Sequence, residues 1–203
     1  MDVGLELFGT QGYAATSVRA IAAAASLNPR YFYESFKSRE DLLYEVYLAI
    51  VTDIGNDATK ATAEAKTIEE QARAGLKSSW DLLTGDPRKA RIVALEVVGV
   101  SPRLEKLRRD IRHGLAELTA RNAMSLAGAD VELRCDPILI ARALVGGSVE
   151  LLGDWIHGDV SASPDEIVEN LTLIFEAAAF ANVVRKPPSE SDSATEASDS
   201  ASP

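Results

Sequence analysis

All five prolines within residues 1–185 directly follow Asn, Asp or Ser, and these pairs divide the chain into segments of helical length. A polar residue of this kind caps the start of a helix, and proline fits the first turn because the N–H there has no partner within the helix. Between the pairs, apolar residues recur at helical spacing. The pattern therefore predicts an all-α fold, with body helices over roughly residues 68–84, 88–99, 101–127, 136–157 and 164–183.

Composition agrees with packed helices and indicates a cytoplasmic protein. Hydrophobic residues make up 46% of the chain and aromatic residues only 6%, a balance rich in alanine and leucine. The single cysteine, Cys135, has no partner for an internal disulfide, and no leader peptide is apparent. Charges interrupt the apolar stretches before they reach about 20 residues, so no membrane span is expected.

The first 46 residues have the pattern of a small three-helix module. A helix over residues 2–10 is followed by Gly12 as a candidate C-cap, and Thr16 or Ser17 is placed to cap a second helix that stops near Ser26. Asn28 caps a third helix. The predicted packing residues of the module are Val18, Ile21, Leu27, Phe32 and Phe36.

A fourth helix, starting at Ser38, is expected to join this module to a bundle of about six helices. The predicted domains are residues 1–46 for the module, 47–185 for the bundle and 186–203 for an acidic tail. Pro187, Pro188 and many Ser, Asp and Glu residues occur in the tail without large apolar side chains, so we expect it to be disordered.

Two short helices joined by a tight turn, with basic residues near the second, suit the major groove of DNA. The segments that carry this pattern are Thr16-Ser17-Val18-Arg19-Ala20-Ile21-Ala22, Ala25-Ser26-Leu27-Asn28 and Tyr31-Phe32-Tyr33-Glu34-Ser35-Phe36-Lys37-Ser38-Arg39-Glu40-Asp41-Leu42. In order and spacing they resemble the helix-turn-helix signature of the tetracycline-repressor (TetR) family. The resemblance is close over about residues 5–43 and extends to the body only in helix number and in the last two helices.

The resemblance implies a set of DNA-binding residues. By it, Ser17 and Arg19 would hold phosphates at the start of the second helix, and Tyr33 would donate its hydroxyl to a phosphate. The residues that would face base edges or sugars are Asn28, Pro29, Arg30 and Tyr31, and those that would grip the DNA backbone are Lys37, Ser38 and Arg39. Independently of the family, an arginine such as Arg30 can present a bidentate fork to guanine, and Tyr31 can contact a thymine methyl group or a phosphate. The complete predicted set is Ser17, Arg19, Asn28, Pro29, Arg30, Tyr31, Tyr33, Lys37, Ser38 and Arg39.

The net charge of −10 and the pI of about 4.7 argue against DNA binding, since lysine and arginine supply much of the affinity for phosphates. Within residues 1–44, however, four basic residues stand against five acidic ones, so the module is nearly neutral. Only the surface that faces DNA must be positive. We therefore give the charge of the whole chain little weight.

Two departures from the family pattern bear on DNA binding. Ser26 stands where the family usually has a turn glycine, and serine adopts a positive φ only at a conformational cost. The first helix also lacks the basic lead-in of the family. On this ground we expect either that the natural start lies upstream of Met1 or that DNA affinity is reduced.

The resemblance and the geometry of half-sites together imply a homodimer that binds a pseudo-palindromic DNA operator. Residues 136–157 and 164–183 are the predicted dimer interface, with an intramolecular core as the alternative. The predicted function is a repressor, not an enzyme, that needs no cofactor and is released by an apolar or amphipathic small-molecule effector. Its predicted effector-lining residues are Trp80, Leu83, Val97, Val98, Leu115, Leu118, Met124 and Trp155.

Two alternatives remain open at this stage. A di-metal enzyme is one, because Asp110 with His113 and Asp154 with His157 form Asp-x-x-His pairs, which Glu96 and Glu150 would complete. The other is a helical binding protein that keeps the fold but has lost DNA binding. The basic cluster at Arg103, Lys106, Arg108, Arg109 and Arg112 suits an acidic ligand or, as the simpler reading, a solvated helix face.

Overall fold

The computed structural model describes residues 1–128 and 131–185 and is built almost entirely of α-helices. Three short helices form the N-terminal module: α1 (Asp2–Thr10), α2 (Val18–Ala24) and α3 (Pro29–Ser35). α4 (Arg39–Thr62) begins in the module and continues into the body, which also contains α5 (Ile68–Gly85), α6 (Pro87–Arg91), α7 (Pro102–Ala127), α8 (Pro137–His157) and α9 (Pro164–Asn182). Two short strands, β1 (Val131–Leu133) and β2 (Val183–Arg185), pair antiparallel.

Side-chain caps fix where the helices of the module begin. Ser17 accepts a hydrogen bond from the N–H of Ala20 at 3.1 Å, and Asn28 accepts one from the N–H of Arg30 at 3.0 Å. Ser17 is therefore the cap of α2, while the buried hydroxyl of Thr16 donates to the carbonyl of Gly12 instead. These caps are the polar residues that the sequence pattern assigned to them.

One apolar core runs through both the module and the body. Phe8 from α1, Leu43 from α4 and Ile92 after α6 are completely buried in it. In the body, α5 packs against both α4 and α9. Because α1 packs against α6 and the segment after it, the module is attached to the body by apolar contacts as well as by the chain itself.

A second, smaller cluster joins α7 to α8. It consists of Ala116, Ala120, Ala141 and Val145, all of which are buried. Small side chains allow the two helix backbones to approach closely. The hairpin of α7 and α8 therefore has a contact of its own beside the main core.

The structure corrects the prediction of one helix over residues 88–99. α6 ends at Arg91, a single wide turn of π-helix covers Ile92–Glu96, and the chain then leaves helical structure through Gly99, whose φ is +71°. Apolar spacing does not distinguish a π turn from an α turn over so few residues. The turn places Glu96 beside the N-terminal module, as described below.

Two smaller differences concern Leu27 and the end of α9. The sequence analysis placed Leu27 in the core, but its side chain is 52% exposed because it lies just after the turn that ends α2. α9 ends at Asn182, whose buried side-chain amide bonds both the N–H and the carbonyl of Cys135. The predicted acidic tail over 186–203 lies outside the described residues.

In the part of the chain that the structure describes, every helix is too short or too polar to cross a lipid bilayer.

The turn between α2 and α3 contains the only non-glycine residue with a positive φ among the described residues, Ser26 at 55°. The N–H of Ser26 bonds the carbonyl of Ala23, and the N–H of Leu27 bonds that of Ala22. This is the Schellman arrangement, in which glycine is the favoured residue at the position of Ser26.

We expect Ser26→Gly to raise the free energy of unfolding by about 0.5–1 kcal/mol, because glycine adopts this φ without strain. Chemical denaturation monitored by circular dichroism measures the change. Ser78→Gly, within α5, is the matched control and should instead lower stability by about 0.5 kcal/mol. Equal effects of the two substitutions would show that the turn is not strained.

Candidate nucleic-acid interface

The outer surface of α3 presents polar and aromatic side chains to solvent. Phe32 is buried and Phe36 is partly buried, and both pack toward the module core. Tyr31 and Tyr33 are 54% and 60% exposed, and the side chain of Arg30 is 87% exposed. These aromatic and cationic groups are therefore free to contact another molecule.

Nine of the ten predicted DNA-binding residues are exposed, and the tenth, Arg39, is partly buried. Three of them, Ser17, Asn28 and Ser38, use their side chains as helix caps. Capping fixes the directions in which α2, α3 and α4 start.

Arg39 is engaged inside the protein rather than aimed at solvent. Its Nη1 donates to the carbonyl of Tyr13 at 2.9 Å and to that of Thr16 at 2.5 Å. Its Cζ also lies 4.3 Å from the centroid of the Tyr13 ring. This geometry makes Arg39 a clamp that holds the loop between α1 and α2.

The same loop is held from the other side by a carboxylate of the body. Glu96, whose side chain is only 13% exposed, accepts hydrogen bonds from the N–H of Tyr13 at 2.6 Å and from Nε of Arg91 at 2.7 Å. Sequence reasoning considered Glu96 only as a metal ligand. Its role depends on a contact 83 residues away, which no local pattern reveals.

A second polar contact joins the start of α4 to the start of α7. Nη1 of Arg103 donates to Asp41 at 2.8 Å, and the hydroxyl of Ser101 donates to Glu40 at 2.7 Å. The hydrogen bond from Arg103 holds the pKa of Asp41 below its ordinary value. The lowered pKa means that this contact stabilises the fold at neutral pH and is lost as the pH falls through the folded-state pKa of Asp41.

These contacts resolve the objection that the module carries too much negative charge. Glu6 pairs with Arg88, Asp41 pairs with Arg103, and Glu40 accepts from Ser101, so three of the five acids of residues 1–44 face the body. Arg19, Arg30 and Lys37 remain exposed. The outer surface of the module is therefore more positive than its sequence total indicates.

The eight predicted effector-lining residues are not gathered around one cavity in the described structure. Trp80, Leu83 and Val97 are buried in the main core. The Trp155 ring packs edge-on against Trp80, with centroids 6.2 Å apart. The other four are exposed and lie on α7 or in the turn before it: Val98, Leu115, Leu118 and Met124.

A recess of about 1030 Å³ lies between α4, α5 and α6, and none of those eight residues lines it. Asp53, Asp57, Asp81 and three lysines are prominent in its lining. Lys60 pairs with Asp57, and Lys77 pairs with Asp81 and with Asp165 of α9. The recess is thus an open, polar surface whose opposite charges largely neutralise one another.

The di-metal alternative receives no support from the described residues. No group of three or more His, Cys, Asp or Glu side chains in residues 1–128 and 131–185 is arranged to hold a metal ion. Asp110 pairs with Lys106, and Glu96 is occupied by Tyr13 and Arg91.

The basic cluster of α7 is also largely used within the protein. Arg108 pairs with Glu105, Lys106 with Asp110, and Arg103 with Asp41 across to α4. The cluster therefore acts mainly through intramolecular ion pairs.

A capped helix-turn-helix with an exposed second helix, joined to a helical body, is an arrangement typical of DNA-binding regulators. Residues 1–46 match the family model of bacterial regulatory proteins of the tetR family. The N-terminal module is thus similar to the DNA-binding module of TetR-family regulators. No curated protein sequence matches the chain.

Solved structures share the fold over most of the chain. The fatty acid degradation regulator FadR from Bacillus halodurans is 19% identical, with 86% of this chain and 91% of that chain covered and a TM-score of 0.74. FadR from Bacillus subtilis, in complex with stearoyl-CoA, is 19% identical over 87% and 96% of the two chains, with a TM-score of 0.75. A TetR/AcrR-family regulator from Thermobifida fusca is 26% identical over 86% and 93%, with a TM-score of 0.65.

We expect Arg39→Lys to lower the free energy of unfolding by about 1–3 kcal/mol, because an ammonium group cannot both bond the two carbonyls and stack on Tyr13 in this way. Thermal denaturation measures the loss. Arg109→Lys is the control, since Arg109 is exposed on α7 and forms no ion pair among the described residues; its change should stay within about 0.5 kcal/mol. An Arg39→Lys protein as stable as the wild type would show that Arg39 does not hold this loop in place.

Proposed function

We propose that the protein is a ligand-responsive repressor that acts in the cytoplasm, binds a pseudo-palindromic operator as a homodimer and is released by an apolar or amphipathic effector. The observation that carries the proposal is the exposed surface of α3, with Arg30, Tyr31 and Tyr33 facing outward while most acids of the module are held by the body. A surface of this kind suits a negatively charged groove.

Each exposed residue has a proposed part in DNA binding. Arg30 offers its fork to guanine, and Tyr31 contacts a thymine methyl group or a phosphate. Arg19, Tyr33 and Lys37 contact the phosphate backbone. The main role of four other residues is to fix where the helices start: Ser17, Asn28, Pro29 and Ser38. Because these residues are exposed, they are also free to contact the DNA backbone.

The proposed roles of the two parts of the chain follow the predicted domains. Residues 1–46 read DNA, and residues 47–185 bind effector and dimerise. The helix α4 crosses this boundary, and the apolar core is continuous across it. A change in the body is therefore able to move the module without unfolding either part.

The proposed dimer interface is the outer face of α8 and α9. Leu139 on α8 and Leu173, Ile174 and Phe180 on α9 are each more than half exposed in the single chain. On α8, a Cβ added at Gly146 or Gly147 would meet no atom within 4 Å, so space is open there for another helix. An apolar face of this extent is more usual at an interface than on a monomer surface.

An amphipathic effector is supported by the exposed apolar side chains of α7 and by one relative. Leu115 and Leu118 lie one turn apart on α7 and are both exposed. The structurally similar FadR of Bacillus subtilis is described in complex with stearoyl-CoA, which has an apolar chain and a charged head. The same class of molecule is our proposal for this chain, with the effector lying against α7 and near Trp155.

The proposal is tested by fluorescence anisotropy on the intergenic DNA that flanks the gene, at two salt concentrations. We expect the wild type to bind, and to bind more weakly at the higher salt because phosphate contacts release counterions. The double variant Arg30→Ala, Tyr33→Phe should lose at least about tenfold in affinity, since it removes one base contact and one phosphate contact.

The control is Lys66→Ala, which removes an exposed charge at the far end of the linker after α4 and should leave the affinity unchanged. A folded wild-type dimer that does not bind this DNA would favour the alternative of a helical binding protein that lacks DNA binding. Equal affinities of the wild type and the double variant would mean that α3 is not the recognition helix.

A further inference from the structure

The proposed recognition helix α3 carries one acidic residue, Glu34, on its outward face. The contacts that hold the module to the body do not involve Glu34. Successive residues of an α-helix turn by about 100°, so Glu34, two positions after the inward Phe32, lies about 200° around α3 and faces away from the module core. Its side chain is 58% exposed. If α3 enters the major groove, Glu34 faces the bases rather than the solvent.

Glu34 is poorly placed to stabilise its own helix. It lies in the last turn of α3, where a negative charge opposes the helix dipole. Glu34 forms an i, i+4 ion pair with Arg30, which lies N-terminal to it. This order of charges stabilises a helix less than the reverse order does. A contribution to helix stability therefore does not account for this residue.

The pair has a chemical pattern that one base pair matches. Nε of Arg30 lies 3.9 Å from Oε1 of Glu34, so the two side chains present donors and an acceptor side by side. In the major groove, a G·C pair offers two acceptors, O6 and N7 of guanine, beside one donor, N4 of cytosine. Neither A·T orientation offers this arrangement.

We propose that Arg30 and Glu34 read a G·C pair together, Arg30 through guanine and Glu34 by accepting from the N4 amino group of the cytosine in the same pair. This inference rests on the proposed function and names the base composition that the recognition helix selects. Arg30 offsets the repulsion between the Glu34 carboxylate and the DNA phosphates. Where the DNA sequence offers no amino group to Glu34, the carboxylate stays unpaired and binding is weaker.

The test is selection of bound duplexes from a randomised DNA library by the full chain, followed by sequencing. We expect the wild type to enrich a symmetric site with a G·C pair in each half. In Glu34→Gln, preference for that pair should fall by about tenfold, because the amide offers donors as well as an acceptor. The variant should also bind unselected DNA more tightly at low salt, since one negative charge is removed.

Ser35→Ala, at the neighbouring exposed position of α3, is the matched control and should select the wild-type site. Circular dichroism of each variant checks that the fold is retained. If Glu34→Gln selects the same site with the same preference, Glu34 does not read DNA and the inference is overturned, while the repressor proposal stands. If the wild type enriches no sequence, the proposed function fails and this inference fails with it.

Discussion

The position of α3, the proposed recognition helix, depends on how the loop at Tyr13 is held. The backbone N–H of Tyr13 donates to Glu96 of the body, and its carbonyl accepts from Arg39 at the start of α4. The ring of Tyr13 lies under the same guanidinium. Because the chain enters α2 directly after this loop, these two charged side chains act together with the apolar core to fix the orientation of α2 and α3.

These contacts also provide a physical connection by which a movement in the body can displace the module. Glu96 ends the π turn, and Arg103 stands at the start of α7 only a few residues later. Both ends of the intervening segment bond the module, Glu96 at Tyr13 and Arg103 at Asp41. In the proposed function, an effector that shifts α7 would pull on both contacts and change the distance between the recognition helices of a dimer.

Much of the fold follows from local rules that the sequence shows directly. The five prolines of residues 1–185 each begin a helix, and the capping residues Ser17, Asn28 and Ser38 act as their patterns predict. Such signals depend on neighbours within four positions along the chain, so they are readable without a structure. For the same reason the three-helix module and the TetR resemblance were accessible from sequence.

The parts that sequence reasoning missed depend on distant contacts. Leu27 fits a core pattern but follows the turn at Ser26, which leaves it exposed. Arg39 bonds carbonyls more than 20 residues away, and no local pattern in the sequence indicates these contacts. The residues proposed to line an effector site were chosen because they are apolar. An apolar residue type does not show whether a side chain is buried, as Trp80 is, or exposed, as Leu118 is.

The central claim is that two copies of this chain bind one operator with their recognition helices in successive major grooves. Hydroxyl-radical footprinting on a selected duplex tests it most directly. The account predicts two symmetric patches of protection whose centres lie about 10 base pairs apart, or a multiple of that, since the half-sites must lie on the same side of the duplex. A dimer-face variant carrying Leu173→Glu and Phe180→Glu should lose both patches together. A single patch, or full protection by the variant, would contradict the claim.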